Sequence, residues 1–314
     1  MDVRSRTGLP RGTKVQDRSN DSRLRTENTF GSAMTWPGPK AVESYWRSTS
    51  PQSHLTIGEG EISMTTVTER IKEIKQPRGG YLPLRNFTVT DMDEIGEVTS
   101  PENIRANLFG IAVDYLTRFT TYGDPVSAFE ISLHGAHLIQ DETTALNILR
   151  HLDGLTDDSI RAACQLVGYD VVYRAGPSWY KPVQYINPDQ NTINNIRKMV
   201  QRMINFLESN PPVMEGFDLT GGYTDTVHIG DGDILTENEL WDIKISRYMP
   251  NSKNTLQILM YWLMCCRSIH PQFQSVSNLG IVNPRLGKTW TIKTSAIPKD
   301  IIKQVSTDVI GYKA

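Results

Sequence analysis

The sequence predicts an α/β (α+β) protein in which a central mixed β-sheet is flanked by helices and preceded by a disordered leader. Three observations predict it. Apolar residues recur at helical spacing in several segments, most strongly over Thr192 to Glu208. Short apolar runs bounded by Gly, Asn or Pro crowd the stretch from Val213 to Ile292. Residues 1–63, rich in Ser, Thr, Arg, Gly and Pro, show neither pattern and lack the apolar surface to offset ordering entropy.

At 314 residues the chain can bury a real core, and 38% apolar with 22% charged residues is ordinary for a soluble globular protein. Within residues 1–63, the run Arg4, Arg6, Arg11, Lys14, Arg18, Arg23 and Arg25 is broken by acids and has no apolar h-region, which excludes a signal peptide. It reads as a solvated tail, with a nucleic-acid-binding arm as the alternative. A further reading starts the natural protein at Met64, because Gly58, Glu59, Gly60 and Glu61 are what a purine-rich ribosome-binding sequence would encode.

Folded character is expected from Thr65, with a mixed helix and strand region over 64–190 and a core over 191–314. Val67, Ile71 and Ile74 give a short helix that Gln76-Pro77 stops. Ser100 as N-cap and Pro101 at the first helical position open a helix to about Thr120. Val126 to Leu133, Val171 to Arg174 and Val183 to Ile186 read as strands. Helices are expected at Glu142 to Leu152 and Asp157 to Val167, the second with Asp157 and Asp158 favouring the dipole of its first turn. After the helix at Thr192 to Glu208, the runs Val213 to Leu219, Tyr223 to Ile229, Asp233 to Leu235 and Leu240 to Ile245 form an antiparallel meander. Lys253 to Arg267 is a helix that leaves Gln257 and Tyr261 one turn apart. Leu279 to Val282 and Thr289 to Ile292 resume the sheet, and Lys299 to Val309 closes as a helix.

The chemistry concentrates at Gly230 to Tyr261. Asp242 and Lys244, two apart on a strand, project to one side. Two carboxylates and an ammonium converging at a hairpin are costly unless a cation and a phosphate sit among them. The competing reading makes Asp242 and Lys244 an exposed charge pair and Asp233 a turn residue.

Asp233, then Asp242-Ile243-Lys244, then Gln257-x-x-x-Tyr261 resembles the PD-(D/E)XK nuclease superfamily, and Gly230-x-x-Asp233 followed by Ile234-Leu235 resembles its RecB-like exonuclease branch. These motifs cover roughly Val213 to Val282. The resemblance implies a restriction-endonuclease-like core and a nuclease that uses Mg²⁺ or Mn²⁺ on nucleic acid, with DNA favoured over RNA. Asp233 and Asp242 would be metal-binding carboxylates and Ile243 would lend its carbonyl. Lys244 would orient or deprotonate the attacking water, and Gln257 and Tyr261 would hold the hairpin or contact substrate. The branch carries a GxxxH helix upstream; Gly110-Ile111-Ala112-Val113-Asp114 has Asp in the His position. Asp114 is therefore either an oxygen ligand or a helix acid paired with Arg118. Glu215 is another candidate ligand and Glu208 a weaker one. Arg285 either faces phosphate or is an ordinary surface arginine.

Net charge of −2 gives no global nucleic-acid signature, so phosphate contact must come from a local groove and bound cations. Cys164, Cys265 and Cys266 have neither disulfide-framework nor zinc spacing and are expected as buried small hydrophobes in a cytoplasmic protein. His134, His137, His228 and His270 are expected at the surface or satisfied in the core. No run approaches the roughly 20 apolar residues of a membrane span, so no membrane partner is expected. Stand-alone nucleases of this resemblance suggest a phage or anti-phage defence context. The rival is a non-catalytic nucleic-acid-binding or scaffold protein that keeps the nuclease fold.

Overall fold

Six strands assemble into one mixed sheet flanked by helices, in the order β1-β6-β5-β4-β3-β2. They are β1 (Thr88–Asp91), β2 (Met214–Asp218), β3 (Asp231–Leu235), β4 (Glu239–Ile243), β5 (Asn278–Asn283) and β6 (Lys288–Lys293). The computed structural model describes residues 64–93 and 95–313, so the expectations about the leader and the start site lie outside the described residues. The helices are α1 (Val67–Glu73), α2 (Ala106–Tyr122), α3 (Pro125–Ala128), α4 (Glu130–Leu138) and α5 (Glu142–Leu149). After them come α6 (Asp157–Leu166), α7 (Asp170–Ala175), α8 (Gln190–Ser209), α9 (Ser252–Cys265) and α10 (Lys299–Gln304), the last continued by a π-turn over Val305–Ile310.

Only β4 and β5 pair in parallel; every other neighbouring pair is antiparallel. A parallel pair needs a crossover, and α9 provides it. Alternation along the strands then sorts the core. Leu235, Leu240, Leu279, Ile281 and Ile292 meet Leu256, Leu259, Met260 and Leu263 of α9 and Val67 and Ile71 of α1 on one face. Ile234, Trp241 and Val282 meet Met203, Phe206 and Leu207 of α8 on the other. Phe206 and Trp241 pack edge to face at 4.9 Å, a favoured aromatic geometry.

Helix α2 lies along α8. The segment before α2 is pinned there by side chains rather than by its own helical bonds. Thr99 N–H donates to Asn195 Oδ1 at 3.2 Å, Asn103 N–H donates to Thr192 Oγ1 at 3.0 Å, and Asn191 Nδ2 donates to the Pro101 carbonyl at 2.8 Å. These partners on α8 override the local helix signal, so α2 begins at Ala106 rather than at Pro101. Glu102 completes the clamp. Its carboxylate is ion-paired with Arg247, in the loop after β4, and with Arg285, in the β5–β6 turn. Burial works against its charge, yet the two guanidiniums hold the carboxyl below its ordinary range. Arg285 is buried and lies 5.4 Å from the Phe109 ring, so neither surface role expected for it holds.

Four expected strands are otherwise. Val126 to Leu133 lies in α3 and α4. Asp124 caps α3 by accepting from Val126 N–H and Ser127 N–H, with Pro125 in the first turn. Val171 to Arg174 belongs to α7, and Val183–Tyr185 is a 3₁₀ turn. The β-branched pair Val171-Val172 yields to tertiary demand at Asp170, which is buried and bonded to Tyr115 of α2 and Ser132 of α4. Tyr223 to Ile229 is a turn. Thr224 N–H donates to the Val227 carbonyl at 2.9 Å, Tyr223 Oη bridges Leu219 N–H and the Gly230 carbonyl, and Ile229 makes a lone bridge to Thr66. Strand β1, exposed along its length, has no apolar alternation to announce it. Cys164 and Cys265 are buried as expected, whereas Cys266 is exposed at the end of α9. His228 accepts from Thr65 N–H at 3.1 Å, and His134, His137 and His270 each pair with an acid on neighbouring chain.

Candidate active site

The ladder between β3 and β4 runs only through Ile234↔Trp241 and Leu235↔Leu240. Beyond that point the strands part, while β4 stays registered on β5 and Lys244 N–H continues that pairing to the Val282 carbonyl at 2.9 Å. The carboxylate of Asp233 takes the place of the lost main-chain partner: Ile243 N–H donates to its Oδ2 at 2.6 Å. On the other flank, β2 skips its pairing at Gly216, opposite Asp233. Gly216 has φ +55°, a left-handed conformation that strains any L side chain, so this interruption depends on glycine. The two breaks open the sheet around one aspartate.

Asp242 and Lys244 share the face of β4 that carries Leu240, as strand alternation requires. Asp242 is 1% exposed. Lys244 Nζ donates to its Oδ1 at 2.8 Å and stands 2.7 Å from Oδ2. Both oxygens of this buried carboxylate are therefore held close to one ammonium. The pair is thus not the exposed cross-strand pair of the competing reading.

A cleft of about 350 Å³ opens between α2, the last turns of α8 and the parted strands, and Asp114, Glu215, Asp233 and Ile243 all line it. Asp114 projects from α2 and is held by Arg118 at 2.9 Å, the i, i+4 pair expected as the alternative to ligation. Burial raises the Asp114 carboxyl above its ordinary range, with Arg118 opposing. Tyr122, one turn further along α2, is pushed up to about 12 by burial and then by the Glu215 carboxylate it faces. Glu208 lies at the exposed end of α8 and is not among the residues lining this cleft.

Gln257 and Tyr261 stand on α9, over the face that carries Asp242. Gln257 Nε2 donates to Tyr261 Oη at 2.9 Å. Tyr261 is 5% exposed, and neither residue lines the cleft. Burial, followed by the charges of Asp242, Asp233 and Asp231, raises the Tyr261 hydroxyl, so it stays protonated beside the acids. Its position suits support of the hairpin better than contact with a bound polymer.

No family model, curated protein or solved structure matches the chain.

The electrostatics describe a site short of positive charge. Burial pushes Asp233 up to about 7, the charges of Asp242 and Asp114 push the same way, and Lys244 and Ile243 N–H oppose them. Burial also raises Asp242 against the pull of Lys244. Among the described residues, no three His, Cys, Asp or Glu side chains are grouped so as to hold a metal ion on their own. The available donors are two carboxylates and a main-chain carbonyl. All are hard oxygens, and a divalent cation such as Mg²⁺ that keeps several waters fits such a set.

A pH dependence follows. With its folded pKa raised, Asp233 binds a proton between about pH 4 and pH 7 that the unfolded chain has released. The metal-free protein therefore loses stability as pH rises through that window, by on the order of a few kcal/mol. Melting temperature in EDTA is expected to fall from pH 5 to pH 8, Asp233→Asn is expected to flatten the fall, and Mn²⁺ is expected to raise the melting temperature more at pH 8. Parallel melting curves for the wild type and the variant would refute the assignment.

Proposed function

We propose that the protein is a Mg²⁺- or Mn²⁺-dependent nuclease of PD-(D/E)XK type that hydrolyses phosphodiester bonds in nucleic acid, DNA in preference to RNA. The observation that carries the reading is the convergence of Asp233, Asp242 and Lys244 where β3 parts from β4. The mixed sheet flanked by helices, and the helix α9 that brings Gln257 and Tyr261 after β4, support the reading.

Asp233 and Asp242 would hold the cation through carboxylate oxygens, with Ile243 offering its carbonyl and Asp114 or Glu215 reaching it from the cleft wall. When bound, the cation offsets charge on the phosphoryl oxygens and lowers the pKa of water. Lys244 orients the attacking water and neutralises charge as it develops on phosphate. Ile243 N–H fixes the rotamer of Asp233, and the Gln257–Tyr261 hydrogen bond supports β4 from beneath. Arg118, on the cleft wall beside Asp114, is the cation nearest at hand for a phosphate. Among the described residues no helix is long and apolar enough to cross a membrane.

The second reading is a nucleic-acid-binding or scaffold protein that keeps the nuclease fold without turnover. Incubating purified protein with linear, circular and single-stranded DNA and with RNA, each in Mg²⁺, Mn²⁺ or EDTA, separates the two. Cleavage that depends on metal is the expected result. Binding without cleavage under every metal condition would establish the scaffold.

A further inference from the structure

We propose that the groove adjoining the cleft, floored by Trp179 and Tyr185, seats single-stranded nucleic acid by stacking its bases. The groove measures about 360 Å³, and Asn107 lines both it and the cleft that holds Asp233. The first turn of α2 is thus a shared wall between the groove and the cleft.

Two observations identify the occupant. Trp179 and Tyr185 are 69% and 80% exposed, an unusual placement for large aromatic side chains. Among the described residues, the charged ones lining the groove are Arg105 and Lys181, with no Asp or Glu. Aromatic faces between cations, with no acid among them, match a polyanion whose bases are free to stack and do not match an acid-rich or purely apolar partner. A duplex keeps its bases paired and offers no such face, so the strand must be single in the groove.

The platform is rigid, which keeps the entropy of binding low. Trp179 ends a 3₁₀ turn opened by Pro177, and Tyr185 ends another that follows Pro182. Between them Tyr180 stacks on Tyr169 at 5.6 Å with an interplanar angle of 14°. Val183 is buried against Gly168, where an added Cβ would lie 2.9 Å from Val183 Cγ1 and 2.6 Å from Ile186 Cδ1. The aromatics therefore stand on a fixed base rather than on a loose loop.

The inference rests on the proposed nuclease function only for the choice of nucleic acid as the polymer, and its test is independent of cleavage. Binding of fluorescently labelled oligo(dT) and oligo(U) to the full chain is measured by anisotropy in EDTA, where no hydrolysis occurs. Trp179→Ala and Tyr185→Ala are each expected to weaken binding about tenfold, and Trp179→Phe is expected to retain most of it. Both side chains are exposed, so circular dichroism of the variants should match the wild type. Affinities unchanged in both alanine variants would overturn the proposal. So would sedimentation showing that the substitutions alter self-association and leave oligonucleotide affinity unchanged. If the wild type cuts nothing yet binds through these aromatics, the nuclease reading fails and this one stands.

Discussion

Substituting Asp242→Asn is expected to lower phosphodiester cleavage by at least about 10²–10³-fold while leaving the fold intact. The argument is geometric. Asp242 is buried on β4 with both oxygens close to the Lys244 ammonium, so the amide keeps the shape and removes the charge that would hold a cation. Lys244→Ala is expected to cost a similar factor through loss of the ammonium that positions water. It also strands a buried carboxylate, so its melting temperature must be read beside its rate. Metal-dependent cleavage measured on linear DNA checks both. Full activity in both variants would exclude Asp242 and Lys244 from the chemistry.

The largest effect expected on stability lies away from the cleft. Asp170 is 1% exposed and accepts from Tyr115 Oη at 2.7 Å and Ser132 Oγ at 2.5 Å, with Arg174 at 3.5 Å. It joins α2, α4 and α7, the helical layer that carries Asp114. Asp170→Ala leaves two buried hydroxyls without their acceptor, and each unsatisfied group costs about 1–3 kcal/mol. A total of about 3–5 kcal/mol is expected, seen as a melting temperature lower by roughly 10 °C for a folded body of this size. Burial raises the Asp170 carboxyl, so Asp170→Asn, which retains an acceptor oxygen, is expected to lose less. Equal losses for both variants would show that the network is not held by its acceptor.

Helices α8 and α9 were legible because their apolar faces repeat over several turns, and β3 to β6 because they are short apolar runs bounded by turn residues, whereas the exposed β1 carried no such signal. The helical layer was less so. Asp124-Pro125 is a helix start, but Val126, Phe129 and Leu133 in so short a run resemble a strand as much as a helix. At Val171-Val172 local propensity points to strand, and only the buried Asp170 reveals why the chain coils. The start of α2 was hidden because its preceding segment bonds to side chains of α8, far away in sequence.

Within the site, the spacing of Asp233, Asp242 and Lys244 could be read directly, since alternation alone fixes a common face for Asp242 and Lys244. What could not be read is the parting of β3 from β4, which turns Asp233 into a main-chain partner for Ile243. Gly216, at a left-handed φ opposite Asp233, was the available signal. Arg285 escaped because its partner, Glu102, lies 183 residues away in sequence.

The central claim is that Asp233 and Asp242 together hold a divalent cation. Isothermal calorimetry of Mn²⁺ against the wild type, Asp233→Asn and Asp242→Asn tests it most directly. The expected result is saturable binding by the wild type that either substitution abolishes or weakens at least tenfold. Wild-type protein that binds no Mn²⁺, or variants that bind as well as the wild type, would contradict it.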